Sequence, residues 1–362
     1  MTINFILPGA GNNPCGGYKV VYEYANGLVR RGHMVRVIHA PHRLPVDSPW
    51  RIARGRGIYY ARLVGVDKGY RPDKWFDIDP AVELMWLHSL HVRRIPSADA
   101  VIATSWESAE WVVGYPPQCG KKFYLVQHFE ALFPCADIER VIETWRAPIK
   151  KIVISEWLRQ KAHELGETAQ YIPNGLDFDR FRLDVSIEER DPQTAMMLFH
   201  RDDWKGSEQG IKALKIVKEK EPEFKAWLFG VPQRPADLPD WIQYHRKPTQ
   251  DQLRRLYNQA ALFVSPSWLE GWGLPPCEAA QCGCALALTD IGGHREYGIA
   301  NQTALLSPVR DPKALAANIL LLINDRQLRI RLANSAHQYI QQFTWDRAVD
   351  AFEAVLSGTD EP

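Results

Sequence analysis

Net charge is nearly absent from this chain. Its 44 lysines and arginines almost cancel its 43 aspartates and glutamates, leaving a formal charge of +1. Nothing in that balance pulls the protein toward nucleic acid. Long apolar runs are missing too, since none approaches the roughly 18 residues that a membrane helix needs. The opening stretch, Met1 to Leu7, is short and uncharged, and Pro8-Gly9 follows at once, so no signal peptide is expected. The six cysteines are scattered (Cys15, Cys119, Cys135, Cys277, Cys282 and Cys284) and none forms a C-x-x-C pair. Reduced, partly buried thiols fit this pattern better than a disulfide frame, and a cytoplasmic location follows as the expectation.

Cofactor signatures are also wanting. Gly9-Ala10-Gly11-Asn12-Asn13-Pro14 lacks the third glycine of a dinucleotide fingerprint, and the strand after its helix ends at His39 rather than an acid. Both features argue against a nicotinamide cofactor. Cys277, Cys282 and Cys284 do not have zinc spacing. Two D-x-D pairs, Asp77-Ile78-Asp79 and Asp177-Phe178-Asp179, resemble metal ligands. Asp177, however, falls in the expected interdomain linker, and nothing brings Asp77 to a nucleotide. His88 and His91 lie three apart on an expected helix face, but two histidines alone make a poor metal site. No metal and no cofactor are expected.

What is present is a repeating order of elements. Apolar residues make up 46% and charged residues 24% of 362, the balance of a globular protein long enough for about two domains. The first half opens with a strand (Ile3 to Leu7), a loop holding Gly9, Gly11, Gly16 and Gly17, a helix (Tyr18 to Arg31) and a strand (Met34 to Ile38). This is a parallel β-α-β unit. Short apolar runs at Ala100–Ala103, Phe123–Val126, Ile152–Ile154 and Gln170–Ile172 read as further buried strands.

A second series follows the polar stretch Asp184 to Thr194. Strands are expected at Met196–Phe199, Lys225–Phe229, Leu262–Val264 and Ala285–Leu288, and helices at Ser207–Glu221 and from Thr249, with its Gln252 capping box, to Ala260. Asp311-Pro312 opens a helix to Asn324, and two more helices run to the end. The fold class is therefore α/β, with two doubly wound, Rossmann-like domains. The expected boundaries are 1–177 and 178–343, with a terminal helix, 344–362, packing back on the first domain. Ligands of such sheets bind at the carboxyl ends of strands, which for two facing domains means the cleft between them.

Two segments carry chemistry. In Glu270-Gly271-Trp272-Gly273-Leu274-Pro275-Pro276-Cys277-Glu278, a carboxylate stands on each side of a glycine turn between a strand and a helix. Glycines let backbone N–H groups approach a phosphate, and carboxylates accept hydrogen bonds from sugar hydroxyls. A plainer reading gives Glu278 to the helix dipole in a first turn. In Phe199-His200-Arg201-Asp202-Asp203-Trp204-Lys205-Gly206, Arg201 and Lys205 precede a helix N-terminus, where two fixed cations can neutralise a diphosphate leaving group. The plainer reading pairs both with Asp202 and Asp203. A third segment, Arg51 to Lys74, interleaves seven cations with aromatic residues. It reads either as a solvated face or as a surface for an anionic acceptor or membrane headgroups.

With these residues in view, the chain resembles the GT-B-fold retaining glycosyltransferases of family 4, a large group of nucleotide-sugar-dependent enzymes. The resemblance rests on Pro266-Ser267 through Glu278, on Thr289, Gly292-Gly293 and Glu296, and on Arg201 with Lys205-Gly206. Pro173-Asn174-Gly175 with Asp177, Gly16-Gly17 and Ser155 add to it. The chain departs from the pattern at His200, where glycine is usual, in its short arginine-to-lysine spacing, and at His245-Arg246-Lys247, where a glycine usually follows the strand.

The resemblance implies roles. Glu278 binds the nucleotide's ribose and Glu270 faces the donor sugar. Backbone N–H groups at Trp272, Gly273 and Leu274 hold the sugar and distal phosphate. Arg201 and Lys205 grip the diphosphate, and Gly16 and Gly17 let the first domain's loop approach it. His128, just after a strand, stands beside the reacting sugar, with Glu130 a weaker candidate. The activity implied is metal-independent transfer of a hexose, with retention, from a nucleoside diphosphate sugar to a glycan, a lipid-linked saccharide or a small molecule. The departing phosphate oxygen takes the acceptor's proton. No nucleic acid partner is implied, and any membrane contact is peripheral, at the inner face. A sugar-nucleotide epimerase on the same fold and a non-catalytic nucleotide-sugar-binding protein are the rival readings.

Overall fold

The computed structural model describes residues 1–41, 57–58, 60–62, 67–134 and 136–359. Much of the basic, aromatic segment, including Trp50, Arg51, Arg54, Arg56 and Tyr59, lies outside the described residues, as does Cys135. The chain divides into two compact units: residues 1–174 with 345–362, and residues 175–344.

The first unit is built on a seven-stranded sheet in the order β3-β2-β1-β4-β5-β6-β7, every pair parallel. The strands are β1 (Thr2–Pro8), β2 (Met34–Ala40), β3 (Glu83–Trp86), β4 (Ala100–Ala103), β5 (Lys121–Val126), β6 (Lys150–Val153) and β7 (Ala169–Tyr171). The inner strands are fully buried, which is why they read as plain apolar runs. Helix α1 (Gly16–Arg30) follows β1. It starts two residues earlier than the sequence pattern suggests. Cys15 is extended (φ −147°), and Gly16 and Gly17 form the first helical turn instead of the loop, so their N–H groups belong to the helix N-terminus. Helices α2 (Trp106–Val113), α3 (Ile138–Arg146) and α4 (Glu156–Glu164) follow β4, β5 and β6. His88 and His91 share no helix face: His88 lies in irregular chain after β3, and His91 caps a single 3-10 turn, Val92–Arg94.

The second unit has a six-stranded parallel sheet in the order β10-β9-β8-β11-β12-β13. Its strands are β8 (Thr194–Leu198), β9 (Lys225–Gly230), β10 (Ile242–Arg246), β11 (Leu262–Ser265), β12 (Ala285–Thr289) and β13 (Ala304–Ser307). Helices α5 (Ser207–Lys220), α6 (Gln250–Gln259), α7 (Leu274–Gln281), α8 (Pro312–Asn324) and α9 (Arg326–Tyr339) flank it. The Thr249–Gln252 capping box opens α6 with both reciprocal bonds made. Met197, Leu214, Val217, Leu228, Val264 and Ile319 sit in one buried core, each contributing about 1.5–3 kcal/mol of burial.

The last helix, α10 (Trp345–Ser357), belongs to the first unit. Phe352 stacks on Tyr24 with centroids 4.3 Å apart, and Trp345 meets the same ring edge-on at 5.5 Å. A Cβ on Gly27 would lie 2.6 Å from Val349, so only glycine lets α1 and α10 close to this distance. His33 reaches Glu353 at 2.8 Å on the rim of that contact.

Candidate active site

In the second sheet, β8, β9 and β10 run outward in one direction, and the chain then returns to place β11 on the other side of β8. The β8–β11 boundary is a topological switch point, and the loops leaving those two strands open a crevice at their carboxyl ends. These are the two loops singled out by the sequence. They are tied together by a hydrogen bond from the Trp268 N–H to the Trp204 carbonyl at 2.6 Å.

The loop after β8 ends in a 3-10 turn, Asp203–Lys205, and then Gly206 in the left-handed region (φ 63°) before α5 begins. Lys205 does not pair with Asp202 or Asp203. Its Nζ donates to both oxygens of Glu270, at 2.9 and 2.8 Å. Ser267 donates its hydroxyl to the same carboxylate at 2.9 Å. Burial works against ionising Glu270, but the Lys205 charge and hydrogen bond, with the Ser267 hydroxyl, overcome it and hold the carboxyl below its ordinary range. Arg201 is exposed on the same loop, and Asp202 is engaged by His200 at 3.3 Å.

The loop after β11 reaches α7 through Gly273, whose φ of 94° and lack of a side chain are both required: a Cβ there would lie 2.7 Å from the Tyr297 hydroxyl. That hydroxyl donates to the carbonyls of Trp272 and Gly273, at 3.1 and 3.0 Å, and fixes the turn from below. Trp272 is 2% exposed and packs edge-on against Phe343 (5.2 Å) and Tyr297 (6.0 Å). The side chain is therefore a wedge that sets the loop, and only the backbone N–H groups are left for a ligand. Leu274 is the first residue of α7 and is followed by Pro275 and Pro276, which have no N–H. The donors at this helix start narrow to Trp272, Gly273 and Leu274.

Glu278 is the fifth residue of α7, not in its first turn, and is buried. The dipole reading of this carboxylate thus fails on position. Tyr257 from α6 donates its hydroxyl to Glu278 Oε2 at 3.4 Å. Burial keeps that phenol far above its ordinary pKa, so it remains a donor.

His294 escapes sequence reasoning, although it follows directly on Gly292-Gly293. It is fully buried; its Nδ1 donates to the Thr289 carbonyl at 2.8 Å, which leaves Nε2 to accept from the Ser265 hydroxyl at 3.1 Å. Burial lowers its pKa, so the ring is neutral beside Glu270. Gly293 allows this packing, since a Cβ would stand 2.6 Å from the Glu270 carbonyl. The second unit thus brings together Lys205, Glu270, Trp272, Gly273, Leu274 and Glu278, with Arg201 on the same loop as Lys205.

The first unit holds the remaining candidates around its own switch point, β1 against β4. Gln127, just past β5, donates its amide to the Gly17 carbonyl at 3.0 Å, which links the glycine-led start of α1 to the turn bearing His128. The His128 ring lies on Phe133 at 4.5 Å and meets Trp157 edge-on at 5.8 Å. Two residues on, Glu130 accepts from the Trp106 N–H (2.7 Å) and the Tyr124 hydroxyl (2.9 Å), both at Oε2. Burial raises its pKa to about 7 against the opposing pull of these bonds. Ser155 is fully buried just before α4, and its hydroxyl finds no hydrogen-bond partner among the described residues.

Residues 181–339 match the family model of glycosyl transferases group 1. The chain is a GT-B-fold glycosyltransferase related to that family. The match spans the second unit's sheet and every candidate site residue in it. Among curated proteins, glycogen synthase of Mycobacterium tuberculosis (strain CDC 1551 / Oshkosh) is 24% identical over 347 residues, covering 88% of this chain and 78% of that protein. Sucrose-phosphate synthase from Thermosynechococcus elongatus superposes with a TM-score of 0.72 at 16% identity, over 99% of this chain and 98% of that one. Anabaena Alr3699/HepE in complex with UDP superposes with a TM-score of 0.74 at 16% identity, over 99% and 100%. These structural likenesses are likenesses of fold. No described helix is long and apolar enough to cross a membrane.

Proposed function

We propose that this glycosyltransferase moves a hexose, with retention at the anomeric carbon, from a nucleoside diphosphate sugar to a hydroxyl of a carbohydrate or lipid-linked acceptor. The observation that carries the reading is the Lys205–Glu270 pair at the β8–β11 switch point, beside the backbone N–H groups of Trp272, Gly273 and Leu274 at the start of α7. A pyrophosphate laid across that turn meets the Lys205 ammonium, the Arg201 guanidinium and the start of α7. Glu270, relieved of Lys205, turns its oxygens to the sugar hydroxyls, and Glu278 takes the ribose. UDP is the nucleotide of choice for a first trial because Alr3699/HepE was solved with it.

In the transfer step, the acceptor oxygen bonds to the anomeric carbon from the face that the diphosphate leaves. The carbon–oxygen bond to phosphate breaks with its electron pair going to the phosphate, which receives the acceptor's proton. The developing charge falls where Lys205 and Arg201 stand, so no metal is required. His128 is assigned to the reacting sugar, and Gly16 and Gly17 to the diphosphate. A cytoplasmic site of action agrees with free, buried thiols, as at Cys119 and Cys277.

The test is incubation with radiolabelled UDP-glucose, with and without a panel of glycan and lipid-linked acceptors, and with EDTA. Label passing to an acceptor with its α configuration kept supports the proposal. Epimerised or free sugar without acceptor points to the epimerase, and tight binding with no turnover points to a sensor. A nucleotide found lodged away from residues 201–205 and 270–278 in a soaked crystal overturns the site.

A further inference from the structure

The turn after β5 contains a half-buried acid that the transfer step above does not use. Glu130 heads a 3-10 turn, Glu130–Leu132, directly after His128-Phe129. A single oxygen, Oε2, receives both the first N–H of α2 (Trp106, 2.7 Å) and the Tyr124 hydroxyl from β5 (2.9 Å). Tyr124 is fully buried, and α2 starts at a complete Ser105–Ser108 capping box, so both anchors are rigid. The acid thus ties the His128 turn to two fixed points of the first unit.

The choice of residue is costly. A glutamine oxygen accepts the same two bonds without placing a charge out of water. An ionised carboxylate makes each bond charge-assisted and roughly twice as strong. The charged groups around it are few. Glu107 on α2 opposes its ionisation, while α3, packed against the turn, brings Arg140, itself held by Glu110 at 2.6 Å. From α4, the Lys161 ammonium lies 5.9 Å from the Phe129 ring.

We propose that Glu130 is a positioning residue for His128, holding the reactive turn through its ionised Oε2, and that the charge is kept at the expense of stability. The inference rests on the transferase reading for its kinetic consequence and on geometry alone for the tie. Because the carboxyl titrates at about 7, the hold tightens as pH rises through neutrality.

The experiment compares wild type, Glu130→Gln and Tyr124→Phe. In wild type, kcat rises with pH around 7, and the Trp106 amide signal in NMR, whose N–H is bonded to Glu130, shows an inflection at the same pH. In Glu130→Gln, both inflections vanish, kcat at pH 8 falls by up to about 100-fold, the cost of a misplacement of about 1 Å, and donor KM stays within about 2-fold. The melting temperature at pH 8 is equal to or above wild type, which a residue kept only for stability would not give. Tyr124→Phe removes a bond that lowers the acid's pKa, so both inflections move to higher pH. An inflection that survives in Glu130→Gln, or a kcat that does not change, overturns the proposal. If wild type transfers nothing while the Trp106 amide still reports Glu130, the tie stands and the transferase reading is the part that fails.

Discussion

Replacing Lys205 by methionine probes the site where stability and chemistry meet. The ammonium is bonded to both Glu270 oxygens, and the two side chains keep 24% and 12% of their exposure. Methionine fills the stem's volume but leaves a mostly buried carboxylate with Ser267 as its remaining hydroxyl donor. Breaking a buried pair from one side costs about 3–5 kcal/mol. The residual exposure of Lys205 puts the expected loss near the lower end, about 3 kcal/mol. For a unit of this size that corresponds to a fall in melting temperature of about 6–12 °C. Adding Glu270→Gln removes the orphaned charge, so the double variant should regain most of the lost stability. Transfer should not recover. Lys205→Met should lower kcat by about 100-fold or more, as loss of a transition-state cation does, and the double variant should stay there. Calorimetric melts and single-turnover transfer measure the two quantities separately. A Lys205→Met protein that melts like wild type, or a double variant that transfers sugar normally, would refute the reasoning.

Gly273→Ala should cost about 1–3 kcal/mol, since it forces a side chain into a left-handed φ of 94° against Tyr297, and should raise donor KM without unfolding the first unit. Tyr297→Phe should raise donor KM several-fold by freeing the Trp272 and Gly273 carbonyls; an unchanged KM would show that the turn is fixed by other contacts. Acid should weaken the second unit through Glu270. Its folded pKa is depressed, so its contribution is complete above about 4.5, the unfolded value, and is lost as pH falls through the folded one. In the first unit two shifts oppose each other. Burial lowers His39 to about 4, which removes stability as pH falls below 6.5, whereas burial raises Glu130 to about 7, which adds stability over the descent from 7 to 4.5. Each amounts to about 3 kcal/mol, so wild type should melt nearly alike at pH 7 and 4.5 and Glu130→Gln should become acid-sensitive. Equal pH slopes in the two proteins would contradict this.

The chain's own pattern determined a good deal. Parallel strands buried on both faces must be continuous apolar runs, and β1, β4, β5, β11 and β12 are legible for that reason. The glycine turn, with its flanking glutamates and the lysine of a neighbouring loop, is legible because close backbone approach requires glycine, and phosphate and hydroxyl recognition require fixed charges. Three strands absent from the sequence reading, β3, β10 and β13, all lie at sheet edges. An edge strand pairs on one side only and can be short or polar, as Ile242–Arg246 is, so its pairing partner defines it more than its residues do. Only the tertiary structure decided that Lys205 meets Glu270 and not the aspartates beside it, because 65 residues of chain must fold before β8 and β11 become neighbours. The same holds for His294 behind Glu270, Tyr257 on Glu278 and Glu130 under the His128 turn. Each is a buried or half-buried polar group whose partner comes from a different element, and burial, which makes such a pairing obligatory, exists only once the chain has closed around it.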